Sequence, residues 1–216
     1  QALNILEQFD VASLEHGTAE HAYLVGAVLS WIGVTRGNHL TDPAFNPVPI
    51  DELMSEEHAG RIADRIRRGE LPDRRALNMP GYTTHVSIMD AAGNCASITH
   101  TLTTCSGVVI PGTGFTWNDC VSLMDPEPGR PNSYVPGKAR ASAVSPTIIL
   151  RDGDPWIVIG APGGWSISSA VAQTISNIVD FGMSPVEAVS APRLHSEGRP
   201  VYAELRVPRR VVGELR

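Results

Sequence analysis

The sequence predicts an α+β fold, with a strand-rich middle between helical segments. Three observations carry this. Apolar residues recur at helical spacing between polar breaks through the first 70 positions. Two β-branched runs flank a Gly-containing turn at 83–102. A short apolar run at 156–161 passes through Pro162-Gly163-Gly164 into a second helical stripe. A hairpin and further strands followed by helices suggest sheet layers covered by helices.

Taken in order, Thr18 is placed to cap a helix carrying Ala22, Leu24, Val25, Val28, Leu29 and Ile32. Thr41-Asp42-Pro43 through Pro49 breaks it. Ser55 caps a second helix to about Arg68, with Ala59, Ile62, Ala63 and Ile66 on its apolar side. A polar connector from Gly69 to Gly81 follows. Residues 83–89 and 95–102 form a hairpin about Asp90-Ala91-Ala92-Gly93-Asn94. That turn sets Met89 opposite Cys95, Ser87 opposite Ser97, His85 opposite Thr99 and Thr83 opposite Thr101. A Gly-rich loop (Gly107, Pro111-Gly112-Thr113-Gly114) leads to a short strand at Phe115–Trp117, then a proline-rich excursion at 125–137. Thr147–Leu150 and Trp156–Ala161 are strands around the turn at 152–155. The helix at 166–181 buries Ile167, Ala170, Val171, Thr174, Ile175, Ile178 and Val179, and Gly182 ends it. Ser184-Pro185-Val186-Glu187 is a capping box opening a short helix that stops before Pro192.

Composition narrows the function classes. The 216 residues include 20 glycines, 17 prolines and only 19% charged residues, which suits a loop-rich globular chain. A net charge of −6 without a basic tract argues against nucleic acid as a partner. No apolar run is long enough to span a bilayer. Three cysteines (Cys95, Cys105, Cys120) without metal-type spacing suggest neither a disulfide framework nor a zinc site. A chain opening at Gln1 inside a helical pattern reads as a segment of a longer protein, so compartment is not legible from it.

Thr83 is the chemically pointed residue. Inside a chain it is an ordinary hydroxyl. At a new N-terminus, its own amine serves as base for that hydroxyl, with an unperturbed pKa of about 8. The connector before it is where a chain can be cut without losing the fold. Thr101, brought opposite by the hairpin, is within reach of its hydroxyl. The strand, Pro162-Gly163-Gly164 and helix start leave backbone N–H groups accessible to a developing oxyanion.

Several motifs fit one family together: Thr83-Thr84-His85, Asp90–Asn94, Thr101-Leu102, Pro111–Gly114, Pro136-Gly137-Lys138, Ser145-Pro146-Thr147, Pro162-Gly163-Gly164 and Ala191–His195. In this order they resemble the γ-glutamyltransferase family, over nearly the whole chain. The resemblance implies an N-terminal-nucleophile hydrolase with a four-layer αββα sandwich that cuts its own precursor. It implies scission between Tyr82 and Thr83. Residues 1–82 would then be the C-terminal part of a large subunit, and 83–216 most of a small catalytic one. The remainder of the large subunit would be a partner. It also implies Thr83 as nucleophile, Thr101 as the threonine that orients it, Gly163 and Gly164 as the oxyanion hole, and Ser142 as a ligand of the substrate carboxylate. No metal or organic cofactor is implied, and the compartment would be periplasmic or extracellular.

The sequence departs from the family pattern at the substrate. Thr103 replaces an asparagine, and Ala143 replaces the second of two paired serines. Cys120 and Leu123 stand where an amine-binding Gln or Glu and an Asp are usual, with Asp119 or Asp125 as possible substitutes in a shifted loop. Three functions compete: a γ-glutamyl amide hydrolase or transferase acting on glutathione-like substrates, an acylase for another small amide, and an inactive interaction module. His85, His100 and His195 read as packed histidines, and nothing in the contexts of Cys105 and Cys120 predicts an activated thiol.

Overall fold

The computed structural model describes residues 1–73 and 81–215. Most of the connector's second half, from Arg74 to Pro80, lies outside the described residues. The architecture is α+β: seven helices and three two-stranded antiparallel sheets among the described residues. They fall into two compact units. One comprises the described part of residues 1–40, 47–78 and 172–216, the other that of 41–46 and 79–171. Each unit therefore draws on sequence from both sides of Thr83.

The first unit is built on α2 (Ala19–His39). The Thr18 side chain accepts the His21 N–H at 3.3 Å and so caps it. One side of α2, with Leu24, Ala27, Val28 and Trp31, packs on Ile5 and Leu6 of α1 (Ala2–Leu6). It also packs on Ala59, Ile62 and Ile66 of α4 (Glu56–Arg67), which Ser55 caps; a single turn, α3 (Ile50–Leu53), precedes α4. The other side, with Ala22, Val25 and Leu29, meets Leu194 of β5 (Leu194–Ser196) and Val211 of α7 (Arg209–Glu214). The apolar positions read from the sequence divide between these two sides, and small residues such as Gly26 and Gly33 let neighbours approach closely.

Strand β5 pairs with β6 (Val201–Ala203), a ladder too short to show as periodicity. The Gln173 side chain, on α5 (Ile167–Val179), holds β5 by donating to Leu194 O at 2.7 Å and accepting from Leu194 N at 2.9 Å. On α5, Ile167, Val171, Thr174 and Ile175 are buried as expected. Ala170 and Ile178 are only half-buried, and Val179 is 50% exposed. Gln173, Ser176 and Asn177 are buried instead, because their polar groups are hydrogen-bonded: Gln173 to Leu194, Asn177 to Ala188, and Ser176 to Asp180 just past its own helix. The Ser184 capping box opens α6 (Pro185–Ser190) as expected.

Two histidines of this unit make its stability sensitive to acid. Burial, reinforced by neighbouring His16, lowers the His21 pKa from 6.5 to about 4. Burial, reinforced by Arg36, does the same to His195. The unfolded chain takes up these protons first, so the stability is intact above pH 6.5 and drains away as pH falls towards 4. The urea midpoint is expected to drop across that window, and His21→Gln with His195→Gln to flatten the drop.

The second unit is built on the hairpin of β1 (Tyr82–Met89) and β2 (Cys95–Thr103). Its register is the one the turn demands: Thr83 opposite Thr101, His85 opposite Thr99, Ser87 opposite Ser97 and Met89 opposite Cys95. A register shift falls between Tyr82 and Thr83, with Tyr82 opposite Thr103. A second hairpin, β3 (Thr147–Arg151) and β4 (Asp154–Ile159), is tied to the first by Ser97 Oγ donating to Ile159 O at 3.0 Å. The outer face of the first hairpin leaves Val86, Ile88 and Ile98 about half exposed. The expected strand at Phe115–Trp117 is only a bridge, Val109 to Thr116, because the Pro111–Gly114 turn leaves arms too short for a ladder. No helix among the described residues is long and apolar enough to cross a membrane.

Candidate active site

Thr83 Oγ1 lies 2.9 Å from Thr101 Oγ1. Thr101 Oγ1 also donates to Tyr82 O at 3.1 Å and accepts from Thr103 N at 2.9 Å. A hydroxyl has one proton and two lone pairs. With its proton on Tyr82 O, Thr101 must accept from Thr83, so the three bonds are mutually consistent in one arrangement. The register shift between Tyr82 and Thr83 falls at this same carbonyl.

The glycine turn sits beside this pair. Gly163 and Gly164 have φ of +137° and +62°, values that L side chains rarely adopt. A turn of 3-10 helix, Gly164–Ser166, then leads into α5, and Ser166 N and Oγ both donate to Gly163 O. No hydrogen bond ties either glycine N–H to another group among the described residues. Gly81 runs close by: a Cβ on it would stand 3.3 Å from Gly164 Cα. The chain just before the Tyr82–Thr83 bond thus lies against the oxyanion candidate.

A cavity joins these groups. Thr83, Thr101, Thr103, Ser142 and Gly164 line it with Gly81, Leu123, Arg140, Ala143, Val144, Trp165 and Ile167. Gly163, Tyr82, Asp119 and Cys120 are not in the lining. Cys120 is one step removed, its Sγ 2.9 Å from Thr103 Oγ1. Thr103 is 4% exposed and holds φ at +59°, an unusual value for a β-branched residue. Asp119 is turned to Thr104, accepting from its N at 2.8 Å and from its hydroxyl, which holds the Asp119 carboxyl below the usual carboxylate range. Asp125 pairs with Arg130 at 3.4 Å.

The Arg140–Ala143 segment is fixed from outside the cavity. Asn132 accepts from Ala141 N at 2.9 Å and donates to Leu123 O at 2.9 Å. Asp42 accepts from Ala139 N at 2.8 Å, while Thr41 and Lys138 both donate to Pro131 O. Arg140 and Trp165 were not anticipated as site residues. An arginine two positions before Ser142 was the available signal.

His85 is a packed residue, as its sequence context suggested. Nδ1 meets Thr99 Oγ1 at 2.8 Å and Nε2 meets Ser87 Oγ at 2.9 Å. Its ring fills the space over Gly160, where a Cβ would fall 2.2 Å from Cε1. His195 lies in β5, stacked on Tyr202 and 3.5 Å from Glu197. Among the described residues no cluster of His, Cys, Asp or Glu could hold a metal ion.

Comparison with known proteins fits this geometry. The family model described as Gamma-glutamyltranspeptidase matches residues 1–216. The chain is 34% identical to the glutathione hydrolase proenzyme of Escherichia coli K12 over 96% of its own length, and 35% identical to the acylase ACY 1 proenzyme of Pseudomonas sp. SE83 over all of it. It spans 39% of the length of each relative. Among solved structures, cephalosporin acylase from Bacillus halodurans superposes over 99% of this chain and 40% of its own, with a TM-score of 0.81 at 24% identity, which speaks to the fold alone. A threonine-to-alanine mutant of Helicobacter pylori gamma-glutamyltranspeptidase matches 61% of this chain and 79% of its own at 34% identity, with a TM-score of 0.56. The chain belongs to the gamma-glutamyltranspeptidase family of N-terminal-nucleophile hydrolases.

Proposed function

We propose that the full-length protein is an autoprocessed threonine amidase that cleaves a small amide and passes the acyl group to water or to an amine acceptor. The observation that carries this is the Thr83–Thr101–Tyr82 hydrogen-bond chain. In scission, Thr83 Oγ1 attacks the Tyr82 carbonyl carbon. Thr101 donates to the oxyanion forming on Tyr82 O. The Thr83 nitrogen takes the hydroxyl proton as the C–N bond breaks, leaving an ester that water hydrolyses. The products are a carboxylate on Tyr82 and a free amine on Thr83.

The freed amine then serves as base for the same hydroxyl against a substrate amide, and the N–H groups of Gly163 and Gly164 hold the oxyanion. Departure of Gly81 and Tyr82 from beside Gly164 opens the place a substrate carbonyl takes. The remainder of a longer chain packs as partner on the exposed Val86–Ile88–Ile98 face, and residues 1–82 and 83–216 become the parts of two subunits. Two acyl donors fit the family: a γ-glutamyl amide such as glutathione, with Ser142 on its carboxylate, and a non-glutamyl amide. Thr103, Cys120, Leu123 and Ala143 favour the second, because among the described residues no carboxylate lines the cavity to receive an ammonium.

Intact mass of the purified full-length protein tests the reading. Two fragments meeting between Tyr82 and Thr83 are expected. A folded wild-type chain that stays whole would remove the free amine from the mechanism and leave an interaction module.

A further inference from the structure

Arg140 is the only charged residue among the described residues lining the Thr83 cavity. Its Nη1 donates to Ala141 O at 2.8 Å, and its Nη2 lies 3.4 Å from Cys120 Sγ. Neither partner is a carboxylate, and a guanidinium has five N–H groups to offer. Cys120 in turn touches Thr103. The guanidinium thus stands beside the position where an amine-binding Gln or Glu was expected by resemblance. The neighbouring Asp119 carboxylate is occupied by Thr104. A cation in this place opposes a substrate ammonium and attracts a carboxylate, which Arg can bind through two parallel hydrogen bonds.

We propose that Arg140 is a specificity-determining residue. It makes the cavity select acyl groups that end in a carboxylate and carry no α-ammonium, the monoamides of short dicarboxylic acids. This rests on the Thr83 reading above and takes the second of its two donors. Arg140 and Ser142 flank the buried Ala141 and face the same cavity, a charged and a neutral donor for one terminal carboxylate. Thr83 Oγ1 attacks the amide carbonyl, and the Thr83 amine relays the hydroxyl proton to the leaving nitrogen as the C–N bond breaks. Water then hydrolyses the ester, releasing the dicarboxylic acid and restoring the threonine.

Glutaryl and γ-glutamyl p-nitroanilides differ by one α-amino group and serve as the probes, with the full-length protein as enzyme. The glutaryl donor is expected to have the higher kcat/KM, by about 10- to 100-fold, the range of a charged hydrogen bond kept or lost. Arg140→Gln lowers the glutaryl value by a similar factor, mainly through KM, and raises the γ-glutamyl value; Arg140→Lys recovers part of the glutaryl loss. A cut, active enzyme that prefers the γ-glutamyl donor overturns the proposal alone. So does an Arg140→Gln enzyme whose donor preference is unchanged. An uncut wild-type chain inactive on both donors overturns the Thr83 reading and the proposal with it.

Discussion

Thr83→Ala is expected to leave the chain whole and to lower amide turnover by about 10,000-fold or more, since it removes the hydroxyl that both proposed reactions use. Thr101→Val is the sharper variant. Valine matches threonine in shape and keeps the strand, but it takes away the donor to Tyr82 O and the acceptor of the Thr83 hydroxyl. Loss of one oxyanion donor costs about 100- to 1,000-fold in rate, so Thr101→Val should accumulate as uncut precursor and mature slowly. Thr101→Ser restores the hydroxyl on the same strand and should cut at near the wild-type rate. A time course of intact mass on the freshly folded proteins reads this directly. Valine and serine cutting equally fast would show that Thr101 only packs there.

The hairpin behind that prediction was legible because its parts are local. Gly93 in a short turn between β-branched runs sets the register, and the register alone brings Thr83 to Thr101. The helix caps at Thr18, Ser55 and Ser184 were legible for the same reason, each being a side chain bonded three residues along its own chain. Long-range features left no such trace. Nothing near Arg140 announces that its guanidinium reaches Cys120, twenty positions earlier. The three-residue strands β5 and β6 are held by Gln173 and by the apolar side of α2, not by their own pattern. The apolar positions of α2 were legible one by one, but not that Leu24 and Val28 face α1 and α4 while Ala22, Val25 and Leu29 face β5 and α7, because that division is set by distant segments. A register shift does occur, at Tyr82. It falls one residue before Thr83 and leaves the predicted pair intact.

Gly33→Ala is expected to separate the two halves that scission would create. A Cβ at position 33 would stand 2.4 Å from Glu197 Cα and 2.5 Å from its carbonyl carbon. These are backbone atoms, so no rotamer change relieves the clash, and the segment after β5 must move off α2. Two bonds go with it, one turn to either side of Gly33 on the same helix face. Ser30 Oγ donates to Ser196 Oγ at 2.9 Å in a fully buried contact, and Arg36 pairs with Glu197 where both side chains are about nine-tenths buried. If either charge stays buried without its partner the cost is about 3–5 kcal/mol, before any strain is counted. With the chain cut at Tyr82–Thr83, α2 and β5 belong to different polypeptides, and this contact becomes part of what keeps them together. Wild-type fragments should co-elute in size-exclusion chromatography at urea concentrations where Gly33→Ala fragments separate. In an uncut Thr83→Ala background the same change should appear as a lowered urea midpoint. Gly26→Ala on the same helix is the control. Its Cβ would meet only the Val201 side chain at 3.4 Å, an ordinary contact, and alanine favours the helix by up to about 1 kcal/mol over glycine. Equal loss from both substitutions would place the effect in the helix itself, and equal tolerance of both would mean that β5 does not need the close approach.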